Sequence, residues 1–544
     1  MPIHAMPIRV RELLRAFVWS SLLGCSAAPA SQAARATVPP GAGAAEEVRG
    51  GSTVVATGSS ERLPRLADPA RPRAGEVVLE RGTVRDETGA EVAYEIGTLY
   101  VPENRRKSDS RLIGVGFARI HSARPTGAPP VFWLPGGPGL SVLGAFATND
   151  MGRLRTWLGL SAVGDLVVLE QRGYTARGEM LTVRREARPL DKPASVRADA
   201  EAMRAQARAA VVANPDKDLS GYDIAEFAAD VDDLRRALGY DKISLFGGSF
   251  GSQWSLAVMR LHPQIVARAV LSSVEPLDNG YDMPSHIHAS LQRIAHDADR
   301  DPGLMPYLPP GGVMAAVRAL NARFARGPVR APVRDESGRT RTVVLGAEDL
   351  QQALLSHTQE GERWPAFILS LYHGHYDEWA RETLAERQAD ETILIGPLVD
   401  SSLGVSAERE HLLRTDPAVA TLGTWNFAAN IASAPDWPTR DMGDELRKPV
   451  PSDIPVVFVH GDWDTSTPIN NSLGLLPYFR DGHLIQVHRG GHDGAFYQLR
   501  TEPAAKQAIY EFLRSGRREG LPIEVVLPVP RFELPAFPPP RPAR

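Results

Sequence analysis

Cysteine is all but missing from this chain. One residue in 544, Cys25, carries a thiol, so no intrachain disulfide can staple the fold. Stability has to come from a buried core, and the length allows one large domain with an insertion, or two or three domains. A strong charge of either sign is missing too, the formal net charge being -4. The Arg-rich pieces at Arg9 to Arg15 and Arg184-Arg185 are scattered and form no basic face, so nucleic acid is not expected as a partner. Past the first two dozen residues, no apolar run approaches the ~20 residues that a membrane-spanning helix needs. There is no internal repeat.

What is present begins at the N-terminus. Arg9, Arg11 and Arg15 surround or precede an apolar segment from Ala16 to Leu23, followed by Gly24-Cys25. A basic start and a short apolar run form an export signal, too short to span a bilayer as a mature helix. Leu22-Leu23-Gly24-Cys25 resembles the bacterial lipobox, which implies cleavage before Cys25 and acylation of its thiol. The alternative is an ordinary signal cut further on, after Ala28 or Ala34. Either way the chain is expected outside a bacterial cytoplasm, touching a membrane only through an N-terminal lipid.

The expected organisation is a signal peptide over 1–24, a flexible tether rich in Ala, Pro, Gly, Ser and Arg over 25–75, and a first core segment over 76–274. A mainly helical insertion over 275–449, a second core segment over 450–516 and a proline-rich tail over 517–544 follow. Strands are predicted at Val92 to Val101, Leu112 to Ile120, Val131 to Leu134 and Asp165 to Leu169, each an apolar or alternating run bounded by turn residues. Asp223 to Leu238 is predicted as a helix. Ile224, Phe227, Val231, Leu234 and Leu238 share one face, Asp223 and Glu226 supply a capping box, and Gly239 ends it. Further strands are expected at Ala267 to Ser272, Ile454 to Val459 and His483 to Val487, with a closing helix from Thr501 to Leu513. In the insertion, Trp364, Trp379, Trp425 and Trp437 are expected to build a small core of their own. The tail is expected to lie extended on the surface or to be partly disordered.

The chemistry is concentrated at Gly247-Gly248-Ser249-Phe250-Gly251, between the apolar run Ile243 to Phe246 and a helix-like run from Gln253. Strand, G-x-S-x-G, helix is the setting of a nucleophile elbow, where a tight turn pushes the serine hydroxyl above the sheet edge. Serine becomes nucleophilic only beside a base that a carboxylate orients. Later strands run into His460-Gly461-Asp462-Trp463-Asp464 and into His488-Arg489-Gly490-Gly491-His492, in the order serine, acid, base. His492 is the favoured base, because two glycines let its loop turn back over the sheet edge. Asp464 is favoured over Asp462 as the acid, since Asp462 has a turn to hold and Asp464 lies further into the loop. Backbone N–H groups of Phe250 and Gly137, the latter in Pro135-Gly136-Gly137-Pro138-Gly139, are the expected oxyanion donors.

With these residues in view, the chain resembles the prolyl aminopeptidase and tripeptidyl aminopeptidase group of α/β-hydrolase serine peptidases. Leu134 to Gly139 looks like that group's H-G-G-P-G loop, with Pro135 in place of histidine. Glu170-Gln171-Arg172-Gly173 is similar to its D-Q-R-G motif, with Glu170 in place of aspartate. Gly247 to Ser252 matches its elbow, Gly461 to Pro468 its acid loop, and Gly491-His492 its base. The resemblance covers the sheet core and leaves the insertion out. It implies an α/β-hydrolase fold, a mostly parallel sheet with helices on both faces and an inserted, mainly helical cap. It also implies cleavage of short peptides near a free N-terminus, with no metal or organic cofactor. In the group, cap carboxylates hold the substrate's amino group. Glu360, Glu362, Asp377, Glu378 and Glu382 are candidates here, and none is assigned. The same triad also serves a carboxylic-ester hydrolase, so a small acyl substrate stays open, as does a non-catalytic binding protein on the same fold.

Overall fold

The computed structural model describes residues 54–56, 72–124, 126–278, 281–335, 337–492 and 495–540. The expected export signal and Cys25 lie outside them. Eleven strands form one sheet. In chain order they are β1 (Val54–Ala56), β2 (Val77–Arg85), β3 (Glu91–Pro102), β4 (Leu112–Ile120), β5 (Val131–Leu134), β6 (Leu166–Leu169), β7 (Ile243–Ser249), β8 (Val266–Val274), β9 (Val456–Gly461), β10 (Gly482–His488) and β11 (Glu524–Val526). Side by side they run β1-β2-β3-β4-β6-β5-β7-β8-β9-β10-β11. Strands β2, β3, β4 and β6 pair antiparallel. Every pairing from β6 through β11 is parallel.

The parallel half explains the unbroken apolar runs of the sequence. Neighbouring side chains on a strand point to opposite faces, so a run buried on both sides needs a core above and below. Phe132 and Leu134 enter one core with Val167, Leu245, Leu271 and Phe458. Val131 and Trp133 enter the other with Val168, Phe246, Val270 and Val457. Helices Ile224–Ala237 and Phe250–Leu261 cover the first face, and Met151–Ser161 and Pro503–Ser515 the second. Chain order reverses where β5 lies between β6 and β7. Ligand crevices form at such a reversal, beyond the carboxyl ends of the strands, and the elbow serine ends β7 there.

A third core belongs to the insertion and contains Trp364 and Trp379. Trp437 departs from the expectation and packs into the first sheet core. The insertion is not all helix: Val329–Arg334 and Thr340–Leu345 form a hairpin, and Asp390–Ile393 pairs antiparallel with Thr182–Arg185 of the core segment. Asp223 caps its helix through the N–H groups of Ala225 and Glu226. The other half of the expected capping box is absent, because Glu226 is taken by Arg105, which binds it through the side chain at 2.6 Å and the main chain at 2.9 Å. An ion pair out of water outcompetes a single cap hydrogen bond. Within the stretch expected to be a tether, β1 extends the sheet alongside β2. The tail supplies β11 and buries Phe532 near Trp463, ring centroids 6.3 Å apart, so it is more than a surface strand.

Candidate active site

Ser249 stands between β7 and the helix Phe250–Leu261 with φ +54° and ψ −132°. A non-glycine residue rarely adopts positive φ, and such strain persists only where the surroundings enforce it. The glycines around it explain the motif. A Cβ on Gly247 would sit 2.2 Å from the Gly251 carbonyl oxygen, and one on Gly251 would sit 2.1 Å from that of Leu134. No side chain fits at either place. Phe227, Phe250 and Trp254 lock the helix behind the turn, ring centroids 5.4 to 6.2 Å apart, and the Trp254 indole donates to Phe227 O at 2.8 Å.

The three residues singled out in the sequence meet. His492 Nε2 lies 3.1 Å from Ser249 Oγ, and its Nδ1 lies 3.0 Å from both Asp464 oxygens. All three are buried. Asp464 accepts from the N–H groups of Ser466 and Thr467 and from the Thr467 hydroxyl. Burial alone would raise its pKa. The charge on His492 and hydrogen bonds from His460 and His492 reverse that and hold the carboxyl well below the usual range. Asp464 is therefore a fixed anion at the back of the imidazole. Asp462 faces elsewhere, with His488 Nδ1 at 2.9 Å and the Arg489 N–H at 2.8 Å. His460 is buried against Thr467 O and the Ser472 hydroxyl.

The glycine loop after β5 passes over Ser249. A Cβ on Gly136 would come within 3.3 Å of Ser249 Cβ, and Gly137 takes φ +110°. Phe250 opens the elbow helix, where the first N–H groups have no partner inside the helix and point outward. Gln171 holds the loop: its amide donates to Gly136 O at 2.7 Å and Pro135 O at 3.2 Å, and its oxygen accepts from the Gly139 N–H at 2.6 Å. Glu170 accepts from the N–H groups of Val142 and Leu143 just beyond. Arg172 is fully buried and grips Asp230 through two bonds of 2.7 and 2.6 Å. Glu170 and Gln171 thus clamp the loop and the turn beyond it, while Arg172 anchors the run to the helix that carries Asp230. The sequence shows the motif but not which backbone atoms Gln171 reaches.

Two acids unmarked by any motif, Glu275 and Asp282, lie close enough to Asp464 to feel its charge, and a third, Asp400, lies close to Glu275. Glu275 ends the segment after β8, buried, and its N–H donates to the Ser252 hydroxyl, which itself donates to Ser249 O. Burial and the charges of Asp282, Asp400 and Asp464 push Glu275 well above the carboxylate range. Asp282 accepts from the Asn471 amide at 2.8 Å, and burial pushes it up to about 7. Burial also pushes Asp400 up to about 7. One clue was available: Glu275 follows directly on a strand with apolar burial on both faces. The five carboxylates weighed in the insertion behave differently. Glu360 and Glu378 pair with Arg363, and Glu382 with His357 at 3.1 Å. Glu362 and Asp377 have no side-chain bond to the triad residues.

Residues 203–301 match a family described as alpha/beta hydrolase fold, and residues 424–522 match one described as TAP-like protein. No curated protein matches the chain. Among solved structures, an alpha/beta hydrolase fold protein from Chitinophaga pinensis is 14% identical, covering 77% of this chain and 97% of its own, with a TM-score of 0.31. A thermophilic esterase from Thermogutta terrifontis is 12% identical over 77% and 98%, TM-score 0.30. An esterase from Exiguobacterium antarcticum is 14% identical over 75% and 97%, TM-score 0.32. The sheet order and the elbow at its reversal are those of an α/β-hydrolase fold, and two segments of the chain are similar to families described in those terms.

Proposed function

We propose that the chain is a serine hydrolase, exported and lipid-anchored through Cys25, that releases residues from the free N-terminus of short peptides. The observation that carries the hydrolase reading is the unbroken line from Ser249 Oγ through His492 to Asp464, with links of 3.1 and 3.0 Å. His492 takes the hydroxyl proton as Oγ bonds to the scissile carbonyl carbon, and Asp464 stabilises the imidazolium. The carbonyl oxygen becomes an anion and accepts from the N–H groups of Gly137 and Phe250. One such donor is worth about 2.7–4 kcal/mol in the transition state. His492 then protonates the leaving amine. Water, deprotonated by the same imidazole, attacks the acyl-enzyme and restores the serine.

The preference for a free amino terminus rests on the acid wall. Glu275, Asp282 and Asp400 lie where desolvation makes an unpaired carboxylate costly and an ammonium partner correspondingly favourable. An ester carries no charge there to match it. The test is hydrolysis of aminoacyl and prolyl amides, free or N-acetylated, against acyl esters. Free-amino amides are the expected substrates, and turnover of esters alone removes the peptidase assignment. A fluorophosphonate that fails to label Ser249 removes the enzyme reading and leaves a binding protein. Mass spectrometry of the mature N-terminus tests the anchor: an unmodified start beyond Cys25 refutes it.

A further inference from the structure

A second cavity, of about 280 Å³, lies apart from the triad, and none of Ser249, Asp464 and His492 lines it. Its apolar wall includes Leu256 and Met259 from the outward half of the elbow helix, with Leu475 and Phe479 opposite. Asp278, His286, Arg409 and Asn470 also line it. Each of these four holds a buried atom without a hydrogen-bond partner in the protein: Asp278 Oδ1, His286 Nδ1, Arg409 Nε and Asn470 Oδ1. Such atoms are few in a folded chain, and four on one cavity wall call for a ligand that pairs them. Of the other charged side chains here, Lys448 is exposed to solvent and the two arginines are engaged. Arg447 is ion-paired with Asp441 and Asp444, and Arg260 donates to Glu445 O.

The unpaired set is mixed in kind. Asp278 Oδ1 and Asn470 Oδ1 only accept, Arg409 Nε only donates, and His286 Nδ1 does either according to its tautomer. A fatty acid would satisfy the guanidinium and leave the two acceptors unpaired. An amine would do the reverse. We propose that this cavity binds a small zwitterion with an apolar side chain, an α-amino acid or a dipeptide. Its ammonium meets Asp278 and Asn470, its carboxylate meets Arg409, and its side chain lies against Leu256, Met259 and Phe479. Burial raises the pKa of Asp278 and lowers that of Arg409 by more than their attraction for each other offsets, so each charge still gains from an opposite one brought in. Asn471 shares this wall and donates to Asp282, which links the cavity to the acids near the triad. Molecules of this class are what an aminopeptidase releases, but the lining calls for such a ligand whether or not the chain carries out that reaction.

The experiment is calorimetric titration of the full chain with L-leucine, after Ser249 has been capped with a fluorophosphonate to fill the catalytic cleft. Saturable binding of L-leucine is expected, at least tenfold weaker for N-acetyl-L-leucine, for L-leucinamide and for decanoate. Asp278→Asn and Arg409→Met should each weaken L-leucine binding at least tenfold, with fluorophosphonate labelling at the parent rate as the sign of an intact fold. If either variant fails that check, Asn470→Leu takes its place, with the same weakening expected. No saturable binding at millimolar L-leucine overturns the proposal, as does equal binding of the four probes or indifference to the substitutions. A parent chain that does not label removes the serine-hydrolase reading only, and the titration is then run on the uncapped chain.

Discussion

Strands β9 and β10 end in loops that bring an aspartate to a histidine twice. Asp464 meets His492 at 3.0 Å, and Asp462 meets His488 at 2.9 Å. The two pairs share loops, residue types and contact distance, and differ in what lies beyond the imidazole. His492 is 1% exposed and its far nitrogen reaches Ser249. His488 is 32% exposed and its far nitrogen reaches Glu524 of β11. An exposed pair of this kind is screened by water and contributes little. The buried one keeps its anion because two histidines and the Thr467 loop solvate it in place of water. Acid–base geometry is therefore not enough to mark a catalytic pair. The third partner and the exclusion of solvent decide.

That contrast can be broken in order of size. Ser249→Ala should lower kcat/KM on the best aminoacyl amide by about 10⁶-fold and abolish fluorophosphonate labelling. Residual turnover within a hundredfold of the parent would sink the triad. Asp464→Asn should lower kcat by about 10⁴-fold, since it leaves the imidazole in the wrong tautomer, while Asp462→Asn should stay within about threefold. Comparable losses in the two variants would erase the distinction between the pairs. Gln171→Leu should cost about 10²-fold in kcat and in the labelling rate with KM nearly unchanged, because the Gly136–Gly139 loop loses its three bonds and its oxyanion donor drifts. A change confined to KM would show that the loop binds substrate instead.

The acid wall sharpens the comparison through pH, with smaller effects. Asp282 and Asp400 sit at about 7, so they ionise as pH rises through that value. For free-amino substrates KM should fall about tenfold between pH 6 and pH 8, as for a single group of that pKa. N-acetylated substrates should show no such trend, and a parallel fall for both would remove the ammonium reading. Stability follows the opposite course. These acids titrate above their ordinary value of 3.8 in the folded chain. Between about 4 and about 7 the folded state keeps protons that the unfolded chain has released. Their contribution to stability is lost as pH rises through that window. Asp282→Asn should flatten that part of the Tm profile by about one or two degrees. Asp464 acts in reverse: held below its ordinary value, it contributes stability above about pH 4 that is lost in acid.

Much of this was legible in one dimension. β4 and β5 fall at the residues the apolar runs mark, because a strand buried on both faces carries apolar side chains at most of its positions. The elbow was legible because the turn rejects any Cβ at Gly247 and Gly251. β11 and the burial of Phe532 were not, since a proline-rich tail shows no period that says what it will lie against. Glu226 left its expected cap for Arg105, more than a hundred positions earlier, and no local rule weighs that competitor.

The sheet core, the glycines of the elbow and the serine–acid–histidine order could be read along the chain, because each depends on steric and hydrophobic rules that act over a few neighbouring residues. Tertiary structure alone decided the rest. Which aspartate backs the His492 imidazole, which atoms Gln171 clamps and that Glu275 meets the charges of Asp282 and Asp400 are matters of packing between distant segments. The energy of a charge is set by everything around it in space, and a linear pattern of residues does not contain that neighbourhood.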